Sequence, residues 1–221
     1  MNSTVVHSAT SSAAETRVER KRRITRERII AEAERLMRSR PVEDITISDI
    51  TAAADVGHGT FYLHFKSKNE VLIPITRAMA QRWDEAIQSE VASKDPAEVV
   101  AMSARYMGRA VTADPLWRWM LKHSGMPIED LRSAIGHFAA RDFGRGLQSG
   151  RFQMNDLATT NSFLIGGFVT CLMAGFDAED SATKIDNMAE LLLRTLGIEV
   201  KEAARIAHLP LPPLAILEGD L

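Results

Sequence analysis

Apolar residues recur along this chain every three or four positions, and that period predicts helices rather than strands. Ile29, Ile30, Ala33, Leu36 and Met37 form the inner stripe of a first helix expected from Arg22 to Ser39, and Pro41 ends it. Thr46 and Asp49 have the T-x-x-D spacing of a capping box, so a second helix should open at Ile47, with Ile50 and Ala54 facing inward. Asp55-Val56-Gly57 breaks the period; Gly57 is able to take a backbone angle that other residues resist, and Asp55 tolerates unusual angles as well. A short third helix follows from about His58 to Phe65, burying Phe61 and Phe65. Ser67 and Glu70 form a second capping box, opening a fourth helix that carries Leu72, Ile75, Met79, Trp83 and Ile87. Pro74 inside it predicts a bend. Asp95-Pro96 starts a fifth helix to about Thr112, and Pro115 starts a short aromatic one, LWRWMLKH. Longer helices are expected over Ile128–Ser149, Asp156–Gly175 and Ser181–Leu196, each closed by a glycine. A last helical stretch near Lys201 to His208 precedes the Pro-rich LPLPPL. The expectation is an all-α chain: a disordered arm (1–20), a three-helix helix-turn-helix head (21–66), a helical bundle (67–200) and a tail (201–221).

Composition adds a direction. The 221 residues are 45% hydrophobic, enough for a sizeable core, and carry a net charge of −2. That charge is unevenly placed. Residues 1–68 hold 12 Lys and Arg against 9 Asp and Glu, whereas the rest hold 15 against 20. A basic head on an acidic body is the balance expected if the head alone meets phosphate. Arg22, Arg23 and Arg26, beside the first helix, are candidate phosphate contacts; Arg17 to Arg20 read equally well as a solvated arm. The single cysteine, Cys171, forbids an internal disulfide and fits a reducing cytoplasm. The longest apolar run, Phe163 to Gly175, is too short for a membrane span of roughly 20 residues. The six histidines lack metal-ligand spacing, no serine has a G-x-S-x-G context, and Cys171 lies in an apolar stretch. No catalytic, metal or cofactor site is therefore expected.

With Phe61 and Phe65 inward, the third helix presents small, hydrogen-bonding and aromatic side chains outward, which suits contact with DNA. His58, Gly59 and Leu63 are the candidates for base edges. Thr46, Thr60, Tyr62, His64, Lys66 and Lys68 are the candidates for the backbone around them. The string VGHGTFYLHFKSKNEVL closely resembles the recognition-helix signature of the TetR family of bacterial transcriptional regulators, over about Ile24 to Leu72. That family commonly has Gly where this chain has Asp55 and Ser where it has Gly57. The resemblance implies a homodimeric repressor whose two heads, ~34–36 Å apart, read a palindromic operator in double-stranded DNA.

In the body, Ser162, Gly166, Thr170 and Ala174 recur every four residues beside Gly167, Cys171 and Gly175. They make a flat surface for a partner helix, from this chain or from a second copy. Met188 and Leu192 lie on the matching stripe of the next helix, and the resemblance favours the second copy. Met102, Tyr106, Trp117, Met120, Phe138, Phe163 and Phe168 read as core or as the lining of an apolar cavity, with Arg105, His123, His137 and Arg141 as polar handles. A small apolar effector, neutral or acidic, is what the resemblance implies there. A DNA-binding activator without an effector, and an enzyme or carrier with an incidental helix-turn-helix, are the alternatives. Specific DNA binding that no compound alters selects the former; loss of specific binding selects the latter.

Overall fold

The computed structural model describes residues 16–91, 93–123, 128–174 and 180–214, with backbone alone for 122, 123 and 128–131. Among these residues the chain is helical without strands. Expectations for residues 1–15, Gly175 and the His123 side chain lie outside the described residues. The first helix, α1 (Arg17–Ser39), starts five residues earlier than its apolar stripe suggests. Thr16 accepts from the Glu19 backbone while the Glu19 carboxylate takes the Thr16 N–H, a complete capping box. Arg17 to Arg20 are thus helical, not part of a disordered arm.

The head closes with a 3-10 turn (Val42–Asp44), α2 (Ile47–Ala53) and α3 (His58–Tyr62). Thr46 and Asp49 cap α2 reciprocally, as their spacing predicts. The strained residue in the turn is Asp55, at φ 49°, not Gly57, which sits at φ −68° as the α3 N-cap. Asp55 follows the C-cap Ala54, so it occupies the position where helices turn left-handed, and Asp tolerates that angle. Ile29, Ala33, Ile45, Ile50, Ala54, Phe61 and Phe65 form the buried head core.

α4 (Lys68–Val91) runs from the head into the body, through Pro74 without interruption. The body adds α5 (Pro96–Ala113), α6 (Pro115–His123), α7 (Ile128–Gln148), α8 (Leu157–Met173), α9 (Ser181–Thr195) and α10 (Val200–Ala207). α5 is the central helix, packed against α4, α6, α7, α9 and α10. Gly108 lets α9 approach it: a Cβ there would lie 2.9 Å from the Ile185 side chain. The described part of the tail is fastened to the body. Arg105, buried in α5, bonds Asp186 of α9 at 2.7 Å and the Leu209 carbonyl at 2.7 Å, and Tyr106 donates to the Pro212 carbonyl at 2.7 Å.

Ion pairs tie head to body. Glu34 of α1 receives Arg38 at 3.1 Å and Arg82 of α4 at 2.6 Å, and Arg38 also reaches Asp114, which caps α6, at 3.1 Å. Trp119 of α6 donates its indole N–H to Glu43 in the head at 2.9 Å. Movement of α4 or α6 therefore bears on the head directly.

Candidate nucleic-acid interface and ligand cavity

Phe61 and Phe65, their rings 5.7 Å apart, anchor α3 in the head core and fix what faces outward. His58, Gly59, Tyr62 and Leu63 are exposed, Leu63 by 70%, while Thr60 and His64 are half-buried beside them. His58 and Tyr62 pack ring to ring at 5.5 Å, and the His58 Nε2 lies 3.5 Å from Ser48 Oγ. Two arginines of α1 come to the far end of α3. Arg22 donates to the Leu63 carbonyl at 3.4 Å, and the Arg26 guanidinium lies over the Phe65 ring at 5.0 Å. His64 is held below the ordinary histidine range, first by burial and then by the positive charges of Arg22 and Arg26. The proposed reading surface therefore has a cationic edge that a phosphate would complement.

Other expected contacts are placed differently. Lys68 points back into the head: its Nζ donates to the carbonyls of Val42 and Ile45, both at 2.8 Å. It fastens the 3-10 turn to α4, leaving one N–H proton for anything outside. Arg23 is exposed and paired with Glu27 at 3.0 Å. Lys66 is exposed. Thr46 is also exposed, but its hydroxyl is engaged with Asp49, accepting from the Asp49 N–H at 3.1 Å and donating to Oδ2 at 2.7 Å. Sequence reading gave no role to Arg28, which donates to the carbonyl of the strained Asp55 at 3.3 Å and braces the turn.

In the body, α4, α5, α7, α8 and α9 line a partly open cavity of about 70 Å³. Its walls are mostly apolar: Ile87, Val100, Met107, Ile135, Phe138, Phe143, Ile165, Phe168 and Leu192. Asp84 and Asp142 interrupt them with nearly buried carboxylates. Arg141 spans both, at 2.7 and 2.8 Å to the two Asp84 oxygens and 2.9 and 3.1 Å to those of Asp142. These bonds, those to Asp84 foremost, raise the Arg141 pKa still further above neutrality. Two carboxylates face one guanidinium, so this wall offers spare acceptors and favours donors over anions. An acidic effector is therefore disfavoured. Ser103 also lines the cavity, and its Oγ is closed to solvent without a hydrogen-bond partner.

Of the candidate ligand residues, Phe138 and Phe168 line this cavity and Arg141 holds its carboxylates. Met102 and Tyr106 are core, and Arg105 is the tail anchor described above. Trp117 lines a smaller hollow beyond Met107 and Ile135, with its indole N–H unpartnered. Met120 lies against the Thr76 hydroxyl at 3.3 Å. His137 is exposed. Phe163 faces out of the bundle, 71% exposed, and joins the small-residue surface instead.

That outer face of α8 carries mostly small side chains. Ser162, Gly167, Thr170, Cys171 and Ala174 are exposed and Gly166 partly so; a Cβ on either glycine would meet no atom within 4 Å. Phe163, Gly167 and Cys171 of α8 line a groove with Met188, Leu191 and Leu192 of α9. Met188 is half-buried, Leu192 is already buried within the chain, and Leu191, which sequence reading passed over, is 59% exposed.

Comparison with known proteins gives this arrangement relatives. Residues 29–74 match the family described as bacterial regulatory proteins, tetR family, and residues 95–209 match Tetracyclin repressor-like, C-terminal domain. The transcriptional regulator EthR of Mycobacterium tuberculosis is 36% identical over 61 residues, 28% of this chain and 28% of EthR. TcmR of Streptomyces glaucescens is 31% identical over 87 residues, 39% of this chain and 38% of TcmR. The chain thus spans well under half the length of these curated relatives. A crystal structure of RolR with the ligand resorcinol superposes with a TM-score of 0.79 at 31% identity, covering 89% of this chain and 99% of that one. FadR of Thermus thermophilus in complex with lauroyl-CoA reaches a TM-score of 0.63 at 22% identity, over 79% of this chain and 96% of that one, a likeness of fold.

Proposed function

The chain belongs to the TetR family of bacterial regulatory proteins, and we propose that it is a homodimeric repressor that a small, largely apolar ligand releases from a palindromic operator. The observation that carries this reading is the cavity itself. α4 forms one of its walls, through Asp84 and Ile87, and the same helix begins in the head at Lys68. A ligand seated there displaces the far part of α4, and the ion pairs of Glu34, Arg38, Arg82 and Asp114 pass that displacement to α1. The two α3 helices then leave the spacing that successive major grooves require. Because the wall offers carboxylate oxygens amid apolar carbon, the ligand class it favours is a small ring bearing hydroxyl donors. The resorcinol bound by RolR is of that class.

On the operator, His58, Gly59 and Leu63 approach base edges while Arg22, Arg26, Thr60, Tyr62 and His64 meet the backbone. The α8–α9 surface, with Phe163, Gly167, Thr170, Cys171 and Leu191, joins the two copies. The test is binding of the full chain to DNA upstream of its own and neighbouring genes, with phenolic compounds titrated in. A ligand that releases DNA must bind the DNA-free protein more tightly, and operator must weaken ligand binding by the same factor. Equal ligand affinity with and without operator, for a compound shown to occupy the cavity, refutes the release mechanism.

A further inference from the structure

The first two turns of α1 are strongly basic and bury nothing. Residues Thr16 to Ile24 are all exposed. Five of the seven residues from Arg17 to Arg23 are cations, and the one acid, Glu19, has its carboxylate on the Thr16 N–H. Elsewhere α1 supplies its cations with acids: Arg23, Arg35 and Arg38 each have a carboxylate three or four residues away, at 3.0, 2.7 and 3.1 Å. No acid stands at that spacing from Arg17, Arg20 or Lys21, and none of the three is ion-paired among the described residues. Arg17 and Lys21, four apart, repel each other instead. All three also face the positive end of the helix dipole. The arrangement costs stability in the free protein, and a row of phosphates removes both penalties.

These turns continue the cationic edge beside α3. Arg22 reaches the Leu63 carbonyl and Arg26 covers the Phe65 ring, so α1 passes the far end of α3 at those residues. At a rise of about 1.5 Å per residue, Arg17 stands about 7.5 Å farther along the axis than Arg22. A helix ~10 Å across does not enter a minor groove ~6 Å wide, so the surface it fits is the sugar-phosphate backbone. We propose that Arg17, Arg20 and Lys21 form a second DNA contact: they bind backbone phosphates beyond the base pairs that α3 reads, adding affinity without sequence preference. This rests on the DNA-binding reading above and adds to it a surface outside the helix-turn-helix.

The experiment is anisotropy titration of a labelled duplex of arbitrary sequence over a range of salt. It compares the full chain with Arg17→Ala/Lys21→Ala and with Lys94→Ala/Lys201→Ala, which removes the same charge from exposed positions in the body. Each lost phosphate contact lowers the log–log salt slope by ~0.9, so the first variant should lose about 1.8 from its slope. Its affinity deficit against wild type should then shrink about twelvefold between 0.05 and 0.2 M salt, roughly the power 1.8 of that fourfold change. The body variant should keep the wild-type slope. The free Arg17→Ala/Lys21→Ala chain should melt no lower than wild type, since it loses a repulsion and no bond. A wild-type slope in that variant overturns the proposal and leaves the helix-turn-helix reading standing. An equal loss in the body variant, or a lower melting temperature in the first, overturns it as well. Wild type that binds no duplex at any salt sinks the DNA-binding reading and this proposal together.

Discussion

Phe163→Asp tests the subunit interface where the structure makes the largest effect. Phe163 is 71% exposed on the outer face of α8, beside two glycines with open space above them. A phenylalanine side chain buries roughly 200 Å² when covered, so roughly 140 Å² remains to be covered in the dimer. At about 25 cal/mol per Å² that is ~3.5 kcal/mol for each copy, and a two-fold interface contains two. Some of this persists through the aspartate Cβ, but an unpaired carboxylate in an apolar contact adds its own penalty. A loss of ~5 kcal/mol overall raises the dimer dissociation constant by more than three orders of magnitude. Sedimentation equilibrium should therefore show monomer at micromolar concentrations where wild type is dimeric. Operator binding should fall although every α3 side chain is intact. A Phe163→Asp chain that remains dimeric with wild-type affinity for itself refutes the assignment of this face, and retained operator affinity in a monomer refutes the need for paired heads.

Two further outcomes concern the head. Lys68→Met removes a charged donor from two carbonyls, so the head should lose ~1–2 kcal/mol of stability while the salt dependence of DNA binding stays near wild type; Arg22→Ala should do the reverse, lowering the log–log salt slope by ~1 in filter-binding or anisotropy titrations. His64, depressed by burial and by Arg22 and Arg26, takes its proton at lower pH in the native state than the value near 6.5 of the unfolded chain. Between those two values the unfolded state binds more protons, so stability falls as pH drops through that window. A phosphate beside the imidazolium favours the proton, so DNA affinity should rise as pH falls toward the depressed native value, and His64→Gln should flatten both profiles. A wild-type affinity that does not vary with pH there removes His64 from the interface.

The helices were legible because their signals are local. The Thr46–Asp49 box, Asp95-Pro96 and the apolar stripes each fix an element by spacing alone, and α2, α5 and α9 begin at the residues those signals name. The Thr16–Glu19 box was equally visible; its helix start was missed because the following residues bury nothing, and capping outweighs that shortage of apolar contact. The break at Asp55-Val56-Gly57 was visible, but not which of its residues takes the left-handed angle. Gly57 is the permissive residue, yet the left-handed angle falls at the position after the C-cap, and that position belongs to Asp55. Lys68 and Arg105 could not be placed from spacing at all. Each bonds carbonyls far away in sequence, and a carbonyl leaves no mark on residue identity.

The candidate cavity was legible only in part. Phe163 and Phe168 were grouped because both are bulky aromatics in one apolar helix. Five residues at ~100° each place them about 140° apart around the axis, so one wall cannot hold both. Gly167 and Thr170 share the Phe163 side, which is why the exposed phenylalanine belongs with the small residues and not with the cavity. Asp84 and Asp142 escaped notice for the opposite reason. Each reads as an ordinary charge on a helix surface, and only the meeting of α4 with α7 turns that surface inward and sets Arg141 between them. The apolar half of the cavity is thus encoded in helical phase, whereas its polar half is encoded in the crossing of two helices 57 residues apart at the Arg141–Asp84 contact. Under the proposed function, a ligand bonded to those carboxylates would act on that crossing, and so on the helix that carries the head.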